Sequence, residues 1–208
     1  HMRTDSIINR SIVIIHRTLQ SIFPKDYYSR CMYAAFGMQK LLIDAGEAVN
    51  ILGGDFLALV VSQDGQRTNL QGFGLGEQQH SHYWIETDDV IVDLGPFYLR
   101  QSSSFKAARI PIIKWEKSHS LPVFLRYQQH VRYDQGVMLN SSLEIEERMD
   151  TFLEACTHRA ARLKGQPKLP SWLLTDLSSL ISAANKNDIW AQHAIRFSQE
   201  TKEDNLPF

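Results

Sequence analysis

Apolar positions in the first stretch of the chain recur every three or four residues: Ile8, Ile12, Ile15, Leu19 and Ile22. That spacing lays one apolar stripe on a helix and predicts a helix over residues 5–23, ended by Pro24. After a short loop at residues 25–28, Ser29 can cap a second helix. It runs through Met32, Ala35, Phe36, Gln39 and Leu42 to about Ala45, with Gly46 as its stop. No charged residue falls between Cys31 and Gln39, so burial on most sides is expected. The period then shortens. Residues 48–61 are rich in valine, leucine and isoleucine, with Gly53-Gly54 as a bulge or bend. Asp64-Gly65 is a hairpin turn leading to a strand near residues 67–71. A glycine-rich loop, Gly72 to Gly76, follows. Two strands, residues 82–86 and 90–94, are joined by Thr87-Asp88-Asp89. Further strands are expected at residues 110–115 and 123–132. From Ser142 the pattern is helical again, over residues 143–163, 171–184 and 188–199, before a polar tail.

Helices, then an antiparallel sheet, then helices is an α+β order rather than an alternating α/β one. The expected organisation is a core over residues 3–135, with N-terminal helices packed on the antiparallel sheet. Residues 136–200 form a C-terminal helical extension of the same domain. A length of 208 residues, 43% of them hydrophobic, suits one sizeable core. His1-Met2 reads as the remnant of a purification tag and carries no weight in the fold.

Charge narrows the partners. Lys and Arg number 22 against 23 Asp and Glu, a net charge of -1. That leaves no electrostatic footprint for nucleic acid or an anionic membrane, and no apolar run approaches the ~20 residues of a membrane span. Two cysteines, Cys31 and Cys156, are too few for a disulfide framework, so a reducing cytoplasm is expected. The pattern does not specify an oligomeric state.

Cys31 falls in the first turn of the second helix. Unsatisfied backbone N–H groups and the positive end of the helix dipole stabilise a thiolate there, the form that attacks a carbonyl. The same N–H groups can receive the oxyanion of a tetrahedral intermediate. The plainer reading of one cysteine on a helix is a small buried hydrophobe. In His82-Tyr83-Trp84-Ile85-Glu86, alternation puts His82, Trp84 and Glu86 on one strand face. Val90 to Leu94 returns antiparallel, and a turn near Asp88 places Asp93 opposite His82 or one position away. Facing residues have Cβ atoms ~5 Å apart, within reach of an imidazole–carboxylate hydrogen bond. Asp93 can equally be a strand-end cap before a turn at Gly95-Pro96.

A cysteine opening a buried helix (Cys31-Met32-Tyr33-Ala34-Ala35), a strand His82-Tyr83-Trp84-Ile85-Glu86, and a strand ending Val92-Asp93-Leu94-Gly95 resemble the transglutaminase-like branch of the papain-like cysteine enzymes. Arylamine N-acetyltransferases and bacterial transglutaminase-like peptidases share the chain order Cys, His, Asp. The resemblance spans roughly residues 28–96. It implies a papain-like fold, with Cys31 as nucleophile, His82 as general base and acid, and Asp93 as orienting carboxylate. Two features depart from it. The spacing from His82 to Asp93 is short. The arginine-glycine-glycine run ahead of the cysteine in arylamine acetyltransferases is replaced by Tyr28-Ser29-Arg30, which argues against acetyl-CoA chemistry.

Around this set, Tyr28 and its neighbour Tyr27 can line an oxyanion site. Trp84 can exclude water, and His80 can face substrate or act as a rival base. Gln39 lies two turns beyond Cys31, too far to help. The loop from Gly72 to Gly76 lacks phosphate-loop spacing and suits a flap. Cys156, near Leu153 and Ala160, reads as packing. Specificity is expected from residues 97–106 and the C-terminal helices. The function expected is a cofactor-independent, metal-free cysteine hydrolase or acyl-transfer enzyme. It would act on an amide in a peptide, a protein or a small molecule through a Cys31–His82–Asp93 triad and a thioester. Two alternatives stand beside it: a non-catalytic binding module on the same fold, and a metal-dependent hydrolase using His80, His82 and Asp93.

Overall fold

The structure is a computed structural model describing residues 2–73, 82–134 and 141–208. Among these residues it has six α-helices and seven strands, a mixed α+β architecture around one curled sheet. Helix α1, Met2–Ile22, buries the expected stripe: Ile8, Ile12, Ile15 and Leu19 are fully enclosed. The chain then turns through a 3-10 segment, Tyr27–Ser29, into helix α2, Cys31–Asp44.

The entry into α2 differs from expectation. Ser29 is not the cap; it lies in the 3-10 turn, where its Oγ donates to the Asp26 carbonyl at 2.9 Å. Arg30 takes the cap position without a side-chain cap bond, which makes Cys31 the first helical residue. The cause is an Asp26–Arg30 ion pair at 2.9 Å, with the Arg30 guanidinium 4.3 Å over the Phe23 ring. Together they hold the turn for one more residue. At the other end, Gly46 takes φ +86, the left-handed conformation that lets the chain leave the helix.

Strand β1, Asn50–Val61, is the axis of the sheet. Along one edge it pairs first with β3, His82–Glu86, through Asn50 to Gly54, and then with β2, Thr68–Phe73, from Phe56 to Val61. Its other edge pairs with β6, Leu125–Tyr133. The glycine pair does produce a bulge: the β1–β6 register shifts between Gly53 and Gly54, leaving His130 as the extra residue. Beyond β3 come β4, Val90–Asp93, and β5, Ile112–Glu116, both antiparallel to their neighbours.

The last strand, β7 (Leu173–Leu174), runs parallel to β5, so the sheet is mixed rather than wholly antiparallel. Residues 171–184 were expected as one helix. Instead, helix α5, Leu177–Asn185, begins only after a capping box between Asp176 and Ser179, which frees the preceding residues to pair with β5. Gly95-Pro96, expected as a turn, opens helix α3, Gly95–Ser102. Proline suits a first helical turn because its missing N–H would find no helical partner there.

Alternation along the strands feeds two cores. Ile51, Ile85, Val92 and Ile112 face α1, α2 and helix α4 (Leu143–Arg162), which adds Met149, Phe152 and Cys156. Phe56, Ala58, Val60, Ile113 and Trp115 face α5 and helix α6 (Ile189–Glu200). Trp190 of α6 donates from its indole N–H to the Leu59 carbonyl at 2.7 Å, tying that helix to β1. Residues after 141 therefore supply both cores and one strand. Among the described residues, no helix is long and apolar enough to cross a membrane.

Candidate active site

The edge of β1 that changes partner creates the site. Pairing with β3 stops at Gly54 opposite His82, and pairing with β2 starts at Phe56, so His82 stands where the two neighbouring strands part. Helix α2 packs against β3 with its first residue, Cys31, at this point. Cys31 and His82 share a cavity of about 130 Å³ with Tyr28, Ser29, Ala34, Tyr83, Asp93, Leu94, Gly95 and Tyr98. The Cys31 sulfur is hydrogen-bonded to the His82 ring. On its other side the imidazole Nε2 lies 2.8 Å from Asp93 Oδ2. With Nε2 committed to the carboxylate, Nδ1 is the nitrogen left to face the sulfur.

The hairpin reaches this geometry by a different register from the one expected. Ile85 pairs with Val92 and Glu86 with Ile91. Continued back, that register sets Trp84 against Asp93 and His82 against Gly95. Asp93 is thus diagonal to His82, two positions from directly opposite, and diagonal neighbours sit ~7–8 Å apart at Cα. The imidazole closes the gap by leaning over Gly95, which offers no side chain. A Cβ there would lie 2.4 Å from His82 Cε1, 2.6 Å from Nε2 and 3.0 Å from Asp93 Oδ1.

His82 is 0% exposed and Asp93 4%, so their polar atoms need partners inside the protein. Asp93 Oδ1 accepts the Gly95 backbone N–H at 2.8 Å, while Oδ2 accepts both His82 and the Tyr127 hydroxyl, the latter at 2.6 Å. The rings close around the pair. Phe56 lies 4.1 Å from the imidazole centroid, Trp84 is stacked at 5.8 Å, and Trp84 meets Tyr127 at 4.8 Å. Because N–H and O–H donors occupy both Asp93 oxygens, the carboxylate is arranged as a hydrogen-bond acceptor rather than as an open metal ligand. Among the described residues, no group of three or more His, Cys, Asp or Glu side chains comes together as a metal site.

Burial by itself disfavours a charged His82. The Asp93 carboxylate, through its charge and hydrogen bond, overcomes that, and the Cys31 sulfur acts in the same direction. The His82 pKa is raised to about 10. Burial, together with the neighbouring Asp93 charge, pushes the Tyr127 phenol well above its usual range, so it remains an O–H donor. A histidine pKa raised from 6.5 contributes stability that is complete below about pH 6.5 and is lost as pH rises through about 10. Urea unfolding of wild type and Asp93→Asn at pH 6 and pH 10 should therefore show the larger stability gap at pH 6. An equal gap at both values would mean that Asp93 does not hold the proton on His82.

The other expected residues are placed as follows. Tyr28 lines the cavity. Trp84 stacks on His82 from inside the core and is not one of the cavity's lining residues. His80 and the loop residues Gly74 to Gly76 lie outside the described residues. Cys156 is fully enclosed beside Phe152, and burial raises its thiol pKa to about 12. It forms no disulfide with Cys31.

Comparison with protein-family models, with curated proteins and with solved structures gives no match.

Two contributors were not anticipated. Gly95 was visible in Val92-Asp93-Leu94-Gly95, but its importance is steric and appears only once the register is known. Tyr127 reaches Asp93 from β6, on the far side of β1, and no local pattern announces it. A hydrogen bond to a charged group contributes ~1.5–3 kcal/mol. Tyr127→Phe keeps the ring and should lower the unfolding free energy by about that amount. An unchanged urea midpoint would remove Tyr127 from the network.

Proposed function

We propose that this chain is a papain-like, transglutaminase-like cysteine enzyme that hydrolyses or transfers the acyl group of an amide. The observation carrying this reading is the His82 imidazole, held between the Cys31 sulfur and the Asp93 carboxylate at the start of a helix. The chain order Cys, His, Asp and a nucleophile helix packed on the histidine strand agree with that fold.

In the proposed reaction the Cys31 thiolate attacks the carbonyl carbon. A C–S bond forms as the carbonyl π pair moves onto oxygen, and backbone N–H groups of the first turn of α2 face the developing charge. Collapse re-forms the carbonyl and breaks the C–N bond, and His82 gives its proton to the departing amine. Water, or an acceptor amine, then loses a proton to His82 as it attacks the thioester, and the thiolate leaves. Asp93 holds the ring and its charge throughout. The substrate is a peptide, a protein side chain or a small amide. Apart from Cys31, His82 and Asp93 themselves, the residues lining the cavity carry no ionised side chain, which favours an uncharged acyl portion.

Limited alkylation tests the assignment. Iodoacetamide followed by peptide mapping should label Cys31 quickly and Cys156 only after unfolding. Labelling of native protein at Cys156 in preference to Cys31 would overturn it.

A further inference from the structure

A tetrahedral intermediate at Cys31 places a negative oxygen in a nearly apolar cavity, where each preorganised donor counts for far more than in water. The helix start supplies backbone N–H groups on one wall. Four hydroxyl-bearing residues are among those lining the rest: Tyr28, Ser29, Tyr83 and Tyr98. Two are committed elsewhere. Ser29 donates to the Asp26 carbonyl at 2.9 Å, and Tyr98 Oη is paired with His16 Nδ1 at 2.7 Å.

The remaining two differ in how they are held. Tyr28 belongs to the 3-10 turn, with its ring edge-on to Tyr27 at 5.6 Å, and among the described residues no hydrogen bond anchors its hydroxyl. Tyr83 follows His82 on β3, so alternation turns it to the opposite strand face, the one shared with Ile85 and covered by α2. It pairs across β1 with Gly53, while Tyr133 of β6 pairs with Ile51 on the same face. Gly53 puts no side chain between them. The two rings approach to 6.1 Å, and their hydroxyls hydrogen-bond. Burial, the Tyr133 hydroxyl and the Cys31 charge all keep Tyr83 protonated far above the usual phenol range. A phenol has one proton, so Tyr83 donates into the cavity only while its oxygen accepts from the Tyr133 hydroxyl; held in that way it is an anchored O–H donor within the electrostatic reach of the nucleophile.

We propose that Tyr83 is a catalytic residue whose hydroxyl donates a hydrogen bond to the carbonyl oxygen of the acyl group as Cys31 attacks it, with Tyr133 as the positioning residue that fixes it. This inference rests on the acyl-transfer reading of Cys31. Tyr83 keeps its proton throughout: the C–S bond forms, the carbonyl π pair moves to oxygen, and the strengthened hydrogen bond lowers the barrier.

Two reagents separate this role from a structural one. Acylation by p-nitrophenyl acetate passes through a tetrahedral oxyanion, and its leaving group needs no proton from His82. Alkylation by iodoacetamide is a direct displacement with no oxyanion. In Tyr83→Phe, acylation at Cys31 should fall on the order of 10²-fold while alkylation is unchanged. Tyr133→Phe should lower acylation less and again spare alkylation, and Tyr28→Phe should lower acylation less than Tyr83→Phe does. Unchanged acylation in Tyr83→Phe would overturn the proposal, as would a parallel loss of acylation and alkylation. A loss confined to Tyr28→Phe would transfer the role to Tyr28 and overturn it equally. If wild type itself were not acylated at Cys31, the underlying acyl-transfer reading would fail, and the role of Tyr83 with it.

Discussion

Cys31→Ala is expected to lower acyl-group turnover on the order of 10⁴-fold or more, leaving only what binding and the remaining polar groups provide. In the proposed reaction the Cys31 sulfur is the nucleophile, and alanine puts no nucleophile in its place. His82 and Asp93 would keep their 2.8 Å contact, but no carbon–sulfur bond could form. The fold should tolerate the change, since Cys31 is only partly buried at a helix start and alanine is a good helix former. Steady-state turnover of p-nitrophenyl acetate, with a thermal melt to confirm folding, gives the comparison. The matching change at Cys156 should do the reverse: this thiol, on α4, is enclosed against α1 and α2, so its loss touches stability and leaves turnover intact. Turnover that survives in Cys31→Ala would place the chemistry elsewhere.

Gly95→Ala is expected to have the next largest effect, although it adds one methyl group. Among the described residues the positive-φ glycines are Gly46, Gly65 and Gly165, so Gly95 is required for space rather than for an unusual backbone. The new Cβ would sit 2.4 Å from His82 Cε1. The ring has little room to retreat, with Phe56 centred 4.1 Å away and Trp84 stacked beside it. Overpacking of this kind costs ~1–3 kcal/mol. A displacement near 1 Å at a catalytic group lowers the rate about 10²-fold. Urea unfolding and turnover should therefore fall together. Full activity in Gly95→Ala would mean that the imidazole does not need its position over residue 95.

Periodicity alone made much of the fold legible. The stripe from Ile8 to Ile22, the His82–Glu86 strand and the glycine bulge in β1 are local signals, each set by which side chains must face a core. The less legible features depend on contacts between distant segments. The cap of α2 lies at Arg30 rather than Ser29 because an Asp26–Arg30 pair and the Phe23 ring outweigh cap preference. Alternation named the face shared by His82 and Trp84, but the hairpin register, and with it the clearance over Gly95, follows from where Thr87 closes the turn onto Val90. Tyr127 and Tyr133 reach the site from β6, and their roles appear only once β6 is known to lie along the free edge of β1. Residues 173–174 joined the sheet because β5 offered an edge, which no composition pattern reveals.

The most direct test is to identify the covalent intermediate. Native protein mixed briefly with p-nitrophenyl acetate, quenched in acid and mapped by mass spectrometry should carry one acetyl group on the peptide containing Cys31. The adduct should be absent from Cys31→Ala and should disappear on longer incubation as water resolves the thioester. An acetyl group found elsewhere, or a Cys31 that remains unmodified while the ester is consumed, would contradict the assignment of Cys31, His82 and Asp93 as an acyl-transfer triad.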